Sequence, residues 1–336
     1  MKDYLERIQG GAGLTQSESA GLFRRVVKGE LGQIETAALL TALKMRGESA
    51  EEIAGAAQAL VESALPFPRP DFACADTCGT GGDFAGTINV STAAGFVAAE
   101  IGVPVIKHGN RSISSSCGSA DVLEALGVGI KSDPDRSRRA LEEAGVCFLF
   151  APIYHPGMRN AMPVRQALRT RTIFNIVGPL ANPGRPAAQI VGVYSPLLCM
   201  TVARALQMLG CERALVVHGA GLDEIALHGR SRCALLADGA ITEIEISPEE
   251  AGVGRFPLEA LRGGDAMQNA RAFQNLLAGR GEPAHEAAVA INAGALAWIL
   301  GKSPDLRCGV EAATEAIRGG GCAARLRKLA EVSNGP

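Results

Sequence analysis

From about residue 100 onward, short apolar runs end in glycine-rich or proline-rich loops, several leading into helical patterns. This recurrence constrains the fold of the 336-residue chain more than any other feature. Residues 103–106 (VPVI) run into 107–112 (KHGNRS), and 146–150 (VCFLF) run into a Pro/His loop. Residues 190–194 (IVGVY) precede a helical stretch from Leu197 to Leu209, and 214–218 (ALVVH) lead into 219–224 (GAGLDE). Strand, loop and helix in repeated succession predict a mainly parallel sheet flanked by helices, with ligands at the carboxyl ends of the strands.

The first 65 residues read differently. Thr15 and Glu18 have capping-box spacing ahead of Leu22, Phe23, Val26 and Val27, and Gly29 ends that run. Ser49 and Glu52 repeat the pattern before Ile53, Ala56, Ala57, Leu60 and Val61, which share one helical face. A proline-rich run at 66–70 (PFPRP) then marks a boundary. The expected class is therefore α/β: a small all-helical N-terminal domain over residues 1–70 and a larger domain over 71–336. The tail, from Asn269 to Leu300 and again from Gly309 to Leu329, is alanine-rich and helical.

Composition excludes several classes. Lys+Arg is 33 against 35 for Asp+Glu, a formal charge of −2, with none of the basic excess of nucleic-acid binders. Hydrophobic residues at 47% and charged residues at 20% rule out a disordered chain. Aromatics at 4% argue against stacked-base recognition and against a membrane-interface belt. The nine cysteines are scattered, and Cys74 and Cys78 lack zinc-ligand spacing, so they read as reduced thiols. The N-terminus has no apolar signal segment, and the longest uncharged run, 186–203, reads as strand, turn and helix. A soluble cytoplasmic protein with no membrane or nucleic-acid partner is expected.

Four clusters could carry chemistry. In residues 78–83 (CGTGGD), successive glycines let backbone N–H groups converge on an anion, and a helix starting near Ser91 aims its positive end at the same place. Asn89, Ser91 and Thr92 add small donors, and Ser91 can offer an oxygen to a phosphate-bound metal. This is neither a GxGxxG fingerprint nor a Walker loop; a purely geometric turn is the competing reading. In residues 107–112 (KHGNRS), followed by serines to Ser119, Lys and Arg beside glycine make a diphosphate or sugar-phosphate cradle. His108 taken alone reads as a structural histidine. Adjacent Asp223 and Glu224 in a strand-end loop suit Mg²⁺, although an isolated Asp-Glu pair is usually a solvated turn. Finally, Arg165, Arg169 and Arg171 each offer a fork to a carboxylate or phosphate, and spacing does not choose among them.

Together these motifs are recognisable. Residues 79–83 (GTGGD), 89–92 (NVST), 107–112 (KHGNRS), 118–124 (GSADVLE), 171–183 (RTIFNIVGPLANP) and 221–224 (GLDE) resemble the anthranilate phosphoribosyltransferase family in order and spacing, and the match extends to 286–295 (EAAVAINAGA). The resemblance implies transfer of the phosphoribosyl group of 5-phosphoribosyl 1-diphosphate to the amino group of anthranilate, with release of diphosphate, in tryptophan biosynthesis. It implies Mg²⁺ as cofactor, a homodimer formed through the helical part, and a helical domain joined in space by part of 160–185. Carried over by position, the donor would be held by Gly79, Gly82, Asp83, Thr87, Asn89, Val90, Ser91, Thr92, Lys107, His108, Gly109, Asn110, Arg111, Ser112, Ser115 and Ser119. The metal would be held by Ser91, Asp223 and Glu224. Gly79, Asn110 and Arg165 would face anthranilate, which selects Arg165 among the three arginines. No residue is assigned as an acid or base, because an aromatic amine is neutral at pH 7 and attacks an oxocarbenium-like ribose without one.

One departure stands out. The family often has Lys-Ser where this chain has Ser116 and Cys117, which removes a positive charge from the phosphate loop and leaves Lys107 and Arg111. The chain begins at the helical domain, so no ammonia-producing glutamine amidotransferase activity is expected. Two alternatives share the fold: a pyrimidine nucleoside phosphorylase and a non-catalytic nucleic-acid-binding relative. The first usually has an extra C-terminal domain, and the second a basic surface.

Overall fold

The computed structural model describes residues 1–112 and 116–335. Four helices open it: α1 (Lys2–Gln9), α2 (Gln16–Lys28), α3 (Gln33–Arg46) and α4 (Ala50–Glu62). Both expected capping boxes form, Thr15 with Glu18 and Ser49 with Glu52. Gly29 ends α2 in the left-handed conformation. Glu52 is fully buried and serves three donors: Leu14 N at 2.9 Å, Ser49 N at 2.9 Å and the Arg46 guanidinium. The apolar stripes of these helices share one core with Ala161, Val164, Ile173 and Phe174 from far along the chain, and Phe23 meets Phe174 edge to face at 5.5 Å.

The remainder follows as β1 (Ala75–Gly79), α5 (Val90–Glu100), β2 (Val105–Gly109), α6 (Ser119–Ala125), α7 (Pro134–Ala144) and β3 (Val146–Phe150). Then come α8 (Ala151–Tyr154), α9 (Met162–Leu168), β4 (Ala188–Gly192), α10 (Leu198–Met208) and β5 (Arg213–Gly219). A hairpin of β6 (Ser231–Ala237) and β7 (Ala240–Ile246) precedes α11 (Ala266–Leu277), α12 (Pro283–Ile299), α13 (Leu306–Gly319) and α14 (Cys322–Asn334). The sheet order is β3-β2-β1-β4-β5-β6-β7, parallel from β3 to β5 and antiparallel at β6 and β7.

Strand periodicity divides the core. Ile190, Leu215 and Val217 face α5 and the C-terminal helices, whereas Val191, Ala214 and Val216 face α10 and the helical unit. A one-residue slip of register would exchange those sets, so burial on both faces fixes the pairing. The chain leaves β1 toward β2 and β3, then returns to place β4 on the other side of β1. That reversal puts a topological switch point between β1 and β4, where a crevice opens at the carboxyl ends of the strands.

Some expectations needed adjustment. The run at 103–106 becomes a strand two to three residues later, because Pro104 holds its carbonyl for Ala75 N ahead of the ladder. The tail is interrupted at 278–282 and 320–321, where Gly279 and Gly320 adopt positive φ. The antiparallel hairpin was not anticipated, although Asp238 and Gly239 (φ 51° and 76°) are the two-residue turn its strands require. All nine cysteines are free thiols. Among the described residues no helix is long and apolar enough to cross a membrane.

Candidate active site

Gly79 and Gly192 are register partners at the ends of β1 and β4, on either side of the switch point. Asp223 is wedged over both. A Cβ on Gly79 would lie 2.1 Å from Asp223 Oδ2, and one on Gly192 would lie 1.5 Å from the Asp223 carbonyl oxygen. Only glycine admits the loop after β5 at this depth. The wedge is also bonded in place. Gly81 N donates to Asp223 Oδ2 at 2.6 Å, and Ser91 N, in the first turn of α5, donates to Glu224 Oε1 at 3.1 Å. His218 braces the same loop, with Nδ1 2.8 Å from Val193 O and Nε2 accepting Gly221 N at 3.2 Å.

Lys107, at the middle of β2, extends beneath this assembly. Its Nζ donates to Thr77 O at 2.6 Å and lies 3.5 Å from Ser91 Oγ, with only 3% of the residue exposed. Burial raises the Asp76 carboxyl to about 6, although Lys107 and an Asn182 hydrogen bond of 2.8 Å oppose the rise. Burial also raises both Asp223 and Glu224 above the ordinary carboxylate range. Repulsion from Asp83 adds to the rise at Asp223, and repulsion from Asp223 adds to that at Glu224. Crowded carboxylates that resist ionisation together are a ready place for a cation. Among the described residues no cluster of three or more His, Cys, Asp or Glu has metal-holding geometry, so any divalent ion here would draw further oxygens from water and a phosphorylated ligand.

The remaining sequence candidates fall around this centre. Gly82 and Asp83 lie in the loop after β1, and Thr87 bridges to Arg262. Asn89 precedes α5, but its amide is committed internally: Nδ2 donates to Cys117 O at 3.1 Å and Oδ1 accepts from Asn269 at 3.0 Å. Val90 is buried, and Thr92 Oγ1 is buried without a partner among the described residues. Gly109 packs against Ser119, whose hydroxyl would meet an added Cβ at 2.3 Å. Ser119 Oγ donates to Asn110 O at 3.2 Å, and Ser112 N donates to Asp121 at 3.0 Å. Arg111 turns to α6, pairing with Asp121 at 2.8 Å and Glu124 at 2.9 Å. Ser115 lies outside the described residues. In place of the family's Lys-Ser pair, Ser116 Oγ donates to Gly264 O at 2.7 Å and Cys117 is buried.

On the helical side, Arg165 lies on α9 with its guanidinium 5.7 Å from the Phe174 ring centre. Arg171 instead donates to Gly82 O and stacks 4.2 Å from the Tyr194 ring centre. His108 is buried and faces His155 edge to face at 5.1 Å. Desolvation lowers the first to about 3 and the second to about 4, so both imidazoles are neutral at pH 7.

Sequence reasoning missed Asn269, the 261–264 strap and Tyr194. The strap carries backbone bonds from Ile88 N to Leu261 O at 3.0 Å and from Gly263 N to Gly86 O at 2.8 Å. Nothing in an alanine-rich helix marks Asn269; the two glycines at 263 and 264 were the available signal.

Comparison with known proteins agrees with this layout. The helical bundle domain of a glycosyl transferase family matches residues 2–64, and that family's a/b domain matches residues 72–323. An anthranilate phosphoribosyltransferase of Sorangium cellulosum is 54% identical over 333 residues, 99% of this chain and 96% of that protein. One from Serratia proteamaculans is 49% identical over 98% of this chain and 99% of that protein. The crystal structure of anthranilate phosphoribosyltransferase (TrpD) from Thermus thermophilus superposes with a TM-score of 0.94 at 42% identity, covering 99% of this chain and 100% of that one. The Saccharomyces cerevisiae enzyme in complex with PRPP and Mg, at 24% identity, shares the fold with a TM-score of 0.89 over 99% of this chain and 97% of its own.

Proposed function

The chain belongs to the anthranilate phosphoribosyltransferase family, and from that premise we propose how its residues divide the work. It transfers the phosphoribosyl group of 5-phosphoribosyl 1-diphosphate to the amino nitrogen of anthranilate, releasing diphosphate, in tryptophan biosynthesis. The observation that carries the assignment of the site is the wedge of Asp223 between Gly79 and Gly192, at the switch point where such sheets bind ligands.

The donor cradle is assigned to Gly79, Gly82, Asp83 and Thr87, to residues 89–92, to Lys107 and residues 108–112, and to Ser119, with Ser115 retained as a candidate. The diphosphate is assigned to backbone N–H groups of the glycine loop and the first turn of α5 other than Gly81 N and Ser91 N, which Asp223 and Glu224 hold, and the buried Lys107 sets a positive charge below them. Asn89 acts here by tying the loop after β1 to that after β2. The donor set of Asp223, Glu224 and Ser91 Oγ is all hard oxygen, with two carboxylates against the one cation of Lys107, which fits Mg²⁺. When bound, Mg²⁺ supplies charge neutralisation for the departing diphosphate.

For the acceptor, Arg165 offers a fork to the anthranilate carboxylate, with Asn110 and Gly79 lining the approach. The nucleophile is a neutral amine, so orientation substitutes for a general base. We extend the proposal to a division at 1–70 and 71–336, with part of 160–185 serving the helical unit. It further includes a cytoplasmic location and a homodimer through that unit, where Ile34 and Met45 on α3 stand 87% and 82% exposed. The test of the reaction is loss of anthranilate fluorescence on adding protein, donor and Mg²⁺. Decay abolished by EDTA supports it, and no decay by folded protein refutes it.

A further inference from the structure

The loop after β1 is fastened at its root. Thr80 N donates to Gly192 O at 2.9 Å, Tyr194 N donates to Thr80 Oγ1 at 3.2 Å, and Gly81 N is held by Asp223. Its tip is different. Gly81, Gly82, Phe84 and Gly86 all have positive φ, between 59° and 78°, a backbone with many alternatives and one strained non-glycine residue. Phe84 is 73% exposed, so burial does not explain why it accepts that conformation.

Arg171 reaches this tip from the opposite wall. Its guanidinium donates to Gly82 O, lies 5.5 Å from the Phe84 ring centre and stacks on Tyr194. An added Cβ on Gly82 would meet the Arg171 Nε only at ordinary contact, 3.4 Å, so it is the φ of 78° rather than space that calls for glycine here. The segment behind Arg171 is rigid: Thr172, Ile173 and Phe174 are buried in the core of the helical unit. Phe174 also lies beneath Arg165. One short stretch thus supports the proposed acceptor anchor and the donor-loop contact.

We propose that Arg171 is a positioning residue that latches residues 82–84 over the crevice, setting donor affinity from the acceptor side. The proposal rests on reading residues 79–92 as the donor cradle. The planar guanidinium matters because one group covers two rings and meets a carbonyl together, which an ammonium cannot do.

The test compares wild type with Arg171→Met, which keeps the stem, and Arg171→Lys, which keeps the charge. Steady-state kinetics are measured alongside hydrogen exchange of peptides spanning 79–92. In the wild type, donor with Mg²⁺ should protect that region. In Arg171→Met the donor KM should rise about tenfold, as expected for losing a charge-assisted bond, while the anthranilate KM stays within about twofold. Exchange at 82–86 should rise in the unliganded protein, with exchange at 107–112 and the Tm unchanged. Arg171→Lys should recover only part of the donor KM. If donor does not protect 79–92 in the wild type, the cradle reading falls and the latch with it. If it does protect, but Arg171→Met leaves donor KM and exchange unaltered, or shifts both KM values equally, the latch alone is overturned. A variant that fails to fold while Arg171→Lys matches wild type in donor KM also overturns it.

Discussion

On the α/β wall of the crevice two glycines leave no space for a methyl group, and on the helical wall two arginines lie across aromatic rings. The first wall is made of backbone. At the fastened root of the loop after β1, its N–H groups and tight turns place partial charges with little freedom to move, which suits an anionic leaving group. The second wall is made of long side chains on segments whose order comes from an apolar core, which suits recognition of a small planar acceptor. The two walls should therefore fail in different ways when altered.

The largest expected effect lies behind the second wall. Glu52→Ala removes the acceptor of Leu14 N and Ser49 N and leaves the mostly buried Arg46 uncompensated, at about 3 kcal/mol of stability. Denaturant unfolding measures it, and substrate KM values of the remaining folded protein should match wild type. Next comes Gly192→Ala, where the clash is with the Asp223 backbone and cannot be relieved by a rotamer change. A displacement of the β5 loop of about 1 Å should cost about 10²-fold in kcat/KM. Smaller is Arg165→Ala, expected to raise the anthranilate KM about tenfold with the donor KM little changed. If Gly192→Ala only lowers stability, or Arg165→Ala raises both KM values alike, the distinction between the walls fails.

The same contrast explains what the sequence could show. Capping boxes at Thr15 and Ser49 are local signals and were readable, and the apolar runs at 103–106 and 214–218 revealed β2 and β5, although β2 runs three residues further, to Gly109. Strand β1 was not, because its buried Asp76 and Thr77 look like loop residues until Asn182 and Lys107 arrive from distant positions. Glycine punctuation located residues 79–83 and 219–224 but could not say that Asp223 fills the gap between Gly79 and Gly192. Likewise Arg165, Arg169 and Arg171 are equivalent as letters. Resemblance to the family singled out Arg165, and only the folded chain places Arg171 on Gly82. Asn269 carries no mark of its own, because its partner Asn89 lies 180 residues away, and the nearby signal was the glycine pair that includes its other partner, Gly264.

The wedge at the switch point is tested most directly by calorimetric titration of 5-phosphoribosyl 1-diphosphate into wild type and Asp223→Asn/Glu224→Gln protein, with and without Mg²⁺. Donor binding should tighten with Mg²⁺ in the wild type and lose that dependence in the double variant, while the variant keeps its fold. The same Mg²⁺ dependence in both proteins would contradict the assignment of these carboxylates.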